Sequence, residues 1–450
     1  MNVSAIVQSV TGAKRGSLRE RAFTGSAWTL AGYGAHEILR LASNLVLTRL
    51  LVPEMFGLMA LVQVFMQGLN MFSDIGIQPN IVRDKRGEDP NFLNTAWTMG
   101  AVRGVVLWLC ACIGAIPFSL AYGEPQLAYL LPLVGLNALL GGFKSTGLAL
   151  ANRKLEIGRL TILDLSTQVI TIVIMVAWAW YHPSVWALAV GGLVGGLVKL
   201  IVSHIYFAPV RHRFQWEKQA VNAIFTFGRW IFLSTILAFI ATKGDRFLMG
   251  AFFPMEFLGF CAIAGMISGA VSGLSKRVGQ RVLFPAYARI EHSNPKRLYS
   301  AVRRSRVAQI APTCLAAIFI VFLGQAIADL LYDSRYEDVG WIMSLLAVGT
   351  FANIVVTTYG KVLLAKGRSF EDMLMLFIHI VFKFAFMVGG FLMAGEQGFV
   401  IGIVAAAWTR YPIMAFVMRR LNCWQPELDL PALFVGVVVV IIASWGQLMW

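Results

Sequence analysis

The residues FTFGRWIFLSTILAFIATKGDRFLMGAFFPMEFLG, from Phe225 to Gly259, repeat the plan of FTGSAWTLAGYGAHEILRLASNLVLTRLLVPEMFG, from Phe23 to Gly57. Each opens on Phe-Thr, reaches a tryptophan (Trp28, Trp230), runs through a long apolar helix with polar interruptions and breaks at a proline. The glycine closing each break, Gly57 or Gly259, lies 29 residues after the tryptophan, so the copies are offset by 202 residues. The prolines, Pro53 and Pro254, are out of step by one. Internal repeats of this size build many transporter folds, with the substrate path between the two halves. The competing account is a chance likeness between two apolar helices, and the rest of the chain decides between them.

With 450 residues, 58% of them apolar and 14% charged, the chain has too few charges to coat a soluble globule and belongs in a bilayer. No apolar run precedes Lys14, Arg15, Arg19 and Arg21, so residues 1–21 read as a cytoplasmic tail and the first helix as its own membrane signal. Stretches of about 20 apolar residues, enough to cross hydrocarbon, fall near 24–48, 56–77, 95–117, 127–150, 160–181 and 185–208. After a basic linker they recur near 225–250, 257–275, 307–327, 338–360, 373–393 and 397–418. The reading is an all-α polytopic membrane protein. An N-terminal six-helix bundle (22–208) and a pseudo-symmetric C-terminal one (225–420) are joined by a cytoplasmic linker (209–224). An additional thirteenth span (431–450) has no place in the six-plus-six plan.

With the N-terminus in the cytoplasm, 27 Lys and Arg lie on that side, two (Arg49, Arg335) on the other and nine inside spans, which sets the orientation. The net charge of +15 is therefore a topology signal and not a nucleic-acid footprint. The longest inner loop, 276–306, holds nine basic residues against Glu291, as the same rule explains. Outer loops are short and often acidic, leaving no periplasmic domain in which to build an active site. The five cysteines are scattered, without metal-ligand spacing. The paired glycines (Gly32 and Gly34, Gly141 and Gly142, Gly191 and Gly192, Gly195 and Gly196) read as close helix contacts.

Polar residues within hydrocarbon are costly and therefore informative. On span 1, Thr29, Tyr33, His36, Glu37, Arg40 and Asn44 share an arc of roughly 100°. On span 2, Gln63, Gln67, Asn70 and Asp74 share a narrower one, and Thr350, Asn353, Thr357 and Lys361 repeat the spacing on span 10. Span 4 adds Asn137 and Lys144, span 5 adds Asp164, Thr167, Gln168 and Thr171, and span 11 adds His379 and Lys383. Such faces either hydrogen-bond between helices, holding the bundle together, or line water. Arg40, Arg103, Lys144, Lys243, Arg246 and Lys383 outnumber Glu37, Asp74, Asp164 and Asp245, so a cavity among them favours an anion. Arg suits a pyrophosphate through its planar fork and Lys as a point charge. There is no HExxH, nucleophile elbow or carboxylate pair for hydrolysis.

Four motifs resemble the polysaccharide transporters, or Wzx-type oligosaccharide flippases. They are TRLLVPEMFG at 48–57, FSDIGIQPNIV at 72–82, KGDRFLMG at 243–250 and FPAYARI at 284–290, in the family's order. The resemblance spans most of residues 20–420. It implies a V of two six-helix bundles, the fold of the superfamily of multidrug, oligosaccharidyl-lipid and polysaccharide exporters. The implied activity is moving undecaprenyl-pyrophosphate-linked oligosaccharide from the cytoplasmic to the periplasmic leaflet of the inner membrane, for exopolysaccharide, O-antigen or capsule synthesis. The family's Asp-Arg pair maps to Asp245 and Arg246, which the 202-residue offset places level with Ser43 and Asn44, inside the cavity and facing span 1. The implied partners are the lipid-linked oligosaccharide, membrane lipids, and polysaccharide polymerase and chain-length proteins. No cofactor or metal is implied, and H+ or Na+ coupling stays open. A drug extruder of the same fold should have an acidic or aromatic cavity instead, and a membrane polymerase or ligase should have long outer loops. The expected cavity residues are Tyr33, His36, Glu37, Arg40, Asn44, Gln67, Asn70, Asp74, Arg103, Lys144, Asp164, Asp245, Arg246, Asn353 and Lys383.

If Arg40 faces water, Arg40→Cys in a chain stripped of its native cysteines reacts with a membrane-impermeant thiol reagent in at least one transport state. Protection in every state, including in opened cells, would place it in dry packing.

Overall fold

The computed structural model describes residues 18–208, 212–278, 295–365 and 368–447, and no strand occurs among them. Fourteen helices follow in order: α1 (Leu18–Leu50), α2 (Pro53–Phe72), α3 (Ile77–Arg83), α4 (Pro90–Tyr122), α5 (Leu127–Gly142), α6 (Gly147–Arg153), α7 (Ile157–Tyr181) and α8 (Trp186–Tyr206). Then come α9 (Lys218–Phe252), α10 (Met255–Val278), α11 (Pro295–Leu331), α12 (Val339–Ala365), α13 (Ser369–Arg420) and α14 (Pro426–Gln447). The predicted spans fall on these helices, with 127–150 divided between α5 and α6 and 373–393 and 397–418 both on α13. Among the described residues, seven helices are long and apolar enough to cross a membrane, or eight if the bent pair α5–α6 is one span. One of the seven, α13, is itself two arms. It breaks at Ala394 and Gly395, and Gly395 adopts φ 58°, ψ −133°, a conformation open almost only to glycine.

The repeat is visible in the helix ends. α1 stops at Leu50 and α9 at Phe252, the same 202 residues apart, and each gives way to a proline break before the next helix. Pro53 opens α2 from an extended Val52, where a missing N–H costs nothing. Trp28 is half-buried, whereas the side chain of Trp230 lies outside the described residues.

Three expectations are corrected. Span 2 ends at Phe72, so Asp74 leaves the helical stripe and sits in the turn, where its Oδ1 accepts the Gly76 N–H at 2.9 Å. Gly76 is left-handed there (φ 69°), which ends the helix short of residue 77. Span 4 breaks between Gly142 and Gly147 with a 60° bend, just past the close contact that Gly142 makes with α4. The inner loop 276–306 is helical at both described ends, the first turns of α11 carrying its last twelve residues from Pro295; the motif at 284–290 lies outside the described residues.

By contacts the chain forms two compact units, the first running to Phe239 and the second starting at Ile240. In the first, α4 packs on α5, α7 on α8 and α1 on α7. Lipid supplies no hydrophobic push between helices, so these contacts depend on close backbone approach. A Cβ on Gly142 would lie 2.4 Å from the Gly100 carbonyl, and one on Gly195 would lie 1.9 Å from Thr171 Oγ1. Gly32, Gly191 and Gly196 are equally tight, whereas Gly34 and Gly141 have open space. α9 begins at Lys218 rather than Phe225, and Ala220 in its first turn is buried with Ile81, Phe92, Leu93, Ala96, Met99 and Ala149 in a core of the first unit.

In the second unit the arms of α13 fold back on each other through Gly390 against Gly398 and Gly402 against Phe386. The thirteenth span, α14, packs on α11 and α12 and is fastened there by a buried ion pair. Arg306, read from sequence as an inner-loop charge, is fully buried on α11 and reaches Asp429 Oδ1 at 2.6 Å. Its guanidinium lies 3.6 Å over the Tyr359 ring and also donates to Thr358 Oγ1 and Gln425 Oε1. Tyr359 donates its hydroxyl proton to Asp429 Oδ2 at 2.7 Å and accepts the Gln425 N–H. Removing one member of a buried pair leaves an uncompensated charge. Asp429→Ala is therefore expected to lower stability by about 3–5 kcal/mol, and the double replacement Arg306→Met, Asp429→Leu to recover much of that loss. Unfolding followed in detergent measures both.

Candidate functional site

The first unit holds a cavity of about 400 Å3 between the end of α2, α3, the N-terminal half of α4 and the α5–α6 break. Gly100, Gly104, Gly141 and Gly142 line it. Its polar lining comes from Asn70, Gln78, Trp97, Arg103, Asn137, Lys144, Ser145 and Thr146. Arg103 is held in place by neutral acceptors: Nε donates to Ser73 Oγ at 2.9 Å and Nη2 to the Asn70 carbonyl at 2.7 Å. Neither acceptor cancels its charge. Lys144 sits in the break and makes no hydrogen bond or ion pair among the described residues. Beside it, Lys199 of α8 closes on Asp164 of α7 at 2.5 Å.

The break is polar, and side chains meet its backbone groups, as irregular backbone at membrane depth requires, although Thr146 Oγ1 is buried without a hydrogen-bond partner among the described residues. Trp97 Nε1–H donates to the Phe143 carbonyl at 3.2 Å, the Ser145 N–H donates to Ser203 Oγ at 3.0 Å, and Ser145 Oγ accepts the Gly147 N–H at 3.1 Å. His212 stacks on Trp97 with 5.4 Å between centroids and shares a 2.9 Å hydrogen bond with Ser145 Oγ. The chain after it lies extended along the polar start of α4. Alternate N–H groups of Arg213, Gln215 and Glu217 donate to Asn94, Thr98 and Thr95, and the Glu217 carboxylate pairs with Arg86 at 2.7 Å. Residues 212–217 thus form a strap across the N-terminal end of α4.

Of the sequence-predicted residues, Asn70, Arg103 and Lys144 meet in this cavity. Others do not join them. Arg40 pairs with Glu37 one turn earlier on α1 at 2.6 Å. His36 gives its carbonyl to Gln168 of α7 at 3.0 Å, an interhelical bond, and Tyr33 is buried. The Asn44 carbonyl accepts from Thr48, and Gln67 and Asp74 are exposed. In the second unit, Lys383 is buried, donates to the Ala241 carbonyl at 3.1 Å and lies 3.4 Å from Asp245 Oδ2. Arg246 follows Asp245 within α9, so the pair lies in a helix and not in a loop. Asn353 is half-buried on α12, away from that pair. Reading by span missed Lys199, Ser73, Trp97 and His212. Lys199 was visible as a lone lysine in a glycine-rich helix; the others become functional neighbours only through the break in α5–α6 and the strap.

Burial, and then the facing His204, push the His212 imidazole down from 6.5 to about 4. Its folded state therefore holds fewer protons than the unfolded chain between those values, so the stability of the strap falls as pH drops from about 6.5 toward 4. Melting curves in detergent should show that slope in the wild type and a flatter one in His212→Phe, which keeps the stack on Trp97 without the titration.

Residues 46–340 match the family model described as polysaccharide biosynthesis protein. The chain is 23% identical to the lipopolysaccharide biosynthesis protein WzxC of Escherichia coli (strain K12), over 96% of this chain and 90% of that one. It is also 23% identical to the succinoglycan biosynthesis transport protein ExoT of Rhizobium meliloti (strain 1021), over 67% and 61%. Its fold is similar to that of the lipid II flippase MurJ in an inward closed conformation, with a TM-score of 0.72 at 12% identity, covering 95% of this chain and all of that one. It is similar as well to an inward-facing multidrug resistance MATE family transporter, with a TM-score of 0.62 at 14% identity, over 94% and 99%. With an all-helical membrane fold shared with these transporters and a family model covering well over half its length, the chain belongs to the polysaccharide biosynthesis protein family, the polysaccharide transporters that its motifs resemble.

Proposed function

We propose that this protein is a flippase that moves undecaprenyl-pyrophosphate-linked oligosaccharide repeat units from the cytoplasmic to the periplasmic leaflet of the inner membrane, by alternating access. One observation carries the reading beyond family membership: Arg103 lines a cavity among apolar helices and hydrogen-bonds to two neutral acceptors, at 2.7 and 2.9 Å, with the exposed Asp74 acting on it through space and no ion pair closed among the described residues, so a charge that lipid would reject is carried at a real cost. A membrane chain tolerates that cost where a ligand supplies the opposite charge, and a pyrophosphate does. A multidrug extruder of the same fold is the second reading, but its organic cations would meet the wrong sign at this site. The family's work lies in polysaccharide assembly, so polymerase and chain-length proteins are natural partners, and the protein acts as a carrier with no covalent step of its own. The cytoplasmic N-terminus follows from the Lys and Arg count. The relatives WzxC and ExoT, by name a lipopolysaccharide biosynthesis protein and a succinoglycan transport protein, support the cargo class.

In a strain lacking the gene, repeat-unit lipid should accumulate on the inner leaflet, with its identity read by mass, and the wild-type chain should clear it. Replacing Arg40, Arg103, Lys144 or Lys383 by Ala, in protein that inserts and accumulates normally, should reduce export more than replacing Arg419 or Arg420. The first four lie within spans, whereas the last two end α13 as orientation charges. Equal export from both sets would sink the reading.

A further inference from the structure

We infer that the phosphate-bearing end of the ligand is held by Arg103 and Lys144 in the cavity inside the first unit. This inference rests on the cargo reading above and narrows it from a dispersed set of cations to one site.

The argument is electrostatic and then geometric. Six cations within spans were candidates for a pyrophosphate; two of them, Arg103 and Lys144, line one cavity, and two others already face a carboxylate. Glu37 lies 2.6 Å from Arg40, and Asp245 lies 3.4 Å from Lys383, so each of these pairs is close to neutral and an incoming anion would be repelled by the carboxylate it displaces. Arg103 hydrogen-bonds only to a hydroxyl and a carbonyl, the exposed Asp74 acting on it through space without an ion pair, and the Lys144 side chain has no hydrogen-bond or ion-pair partner among the described residues. Asp164, the acid that acts on Lys144, is taken by Lys199 at 2.5 Å. These two cations line the same cavity, whose volume of about 400 Å3 falls within the usual range for small-ligand sites.

The division of labour between the two side chains suits a diphosphate. Arg103 is fixed by bonds from Nε and Nη2, which leaves Nη1 uncommitted and the fork pre-oriented. Lys144, on irregular backbone between α5 and α6, is a point charge on a flexible stem. Asn137, which makes no hydrogen bond among the described residues, offers a neutral amide for the first sugar. By the orientation that the charge count gives, the α5–α6 break lies toward the cytoplasmic side, the side from which the cargo is loaded. His212 touches Trp97 and Ser145, two residues of the lining.

The test is binding by the purified full chain, followed by thermal stabilisation and native mass spectrometry, with three probes: undecaprenyl pyrophosphate, undecaprenol and phosphatidylglycerol. Arg103→Gln and Lys144→Gln should each weaken undecaprenyl pyrophosphate by about tenfold or more, the scale of one lost charge-assisted hydrogen bond. Arg40→Gln and Lys383→Gln should keep affinity near the wild type even where export falls. Lys144→Arg should restore binding. If Arg103→Gln fails to accumulate, Lys144→Gln carries the test, because its ammonium holds no other group in place. Loss of the pyrophosphate in Arg40→Gln or Lys383→Gln, but not in the cavity variants, would overturn the cavity assignment and leave the cargo reading standing. Equal binding of undecaprenol and undecaprenyl pyrophosphate by the wild type would overturn both. If phosphatidylglycerol binds as tightly and Arg103→Gln weakens it too, the cavity is a phosphate site for bilayer lipid, and the cargo reading falls alone.

Discussion

Hydrocarbon offers no hydrogen bonds, so every backbone group and charge inside it has to be satisfied by the protein itself, and the architecture follows from that constraint. Helices satisfy their own backbone, which is why helix is the dominant structure of the described residues. Wherever a helix breaks, side chains come in to finish the accounting. Trp97, Ser145 and Ser203 do so between α5 and α6, and Asp74 does so after α2. Charges obey the same rule more strictly. Arg306 and Asp429, both fully buried, are surrounded by Tyr359, Thr358 and Gln425. Against that background Arg103 differs: it hydrogen-bonds to neutral acceptors and closes no ion pair among the described residues.

The spans were legible because twenty apolar residues bounded by charge or proline leave few alternatives to a crossing helix, and the break of α13 at Gly395 fell where the apolar pattern paused. The stripes of polar residues were legible too, but not their purpose. Periodicity shows which residues share a face, not what that face meets. Gln168 and Thr171 turned out to serve packing, through the His36 carbonyl and Gly195 respectively, whereas Arg103 and Lys144 did not. Which cations are neutralised depends on partners distant in sequence, as with Lys383 and Asp245, or Arg306 and Asp429. Arg306 was misread because it lies where a topology rule already explained it. Its partner was the acidic residue just inside a helix that had no assigned place.

That helix, α14, is thereby an integral part of the second unit. Its first turn supplies Asp429 and Gln425 precedes it, so the network that fastens it also satisfies the interior of α11 and α12.

The strap at 212–217 carries a consequence for how the chain is made. The first unit is not finished when its sixth span has been synthesised: its inner core needs Ala220, and the polar start of α4 needs Gln215 and Glu217. Both lie beyond what the repeat would assign to the first half. A ribosome releasing the chain in order therefore delivers a half that stays open at its inner end until the opening turn of α9 emerges, and only then seals. Splitting the gene at the linker would divide one folding unit, not two.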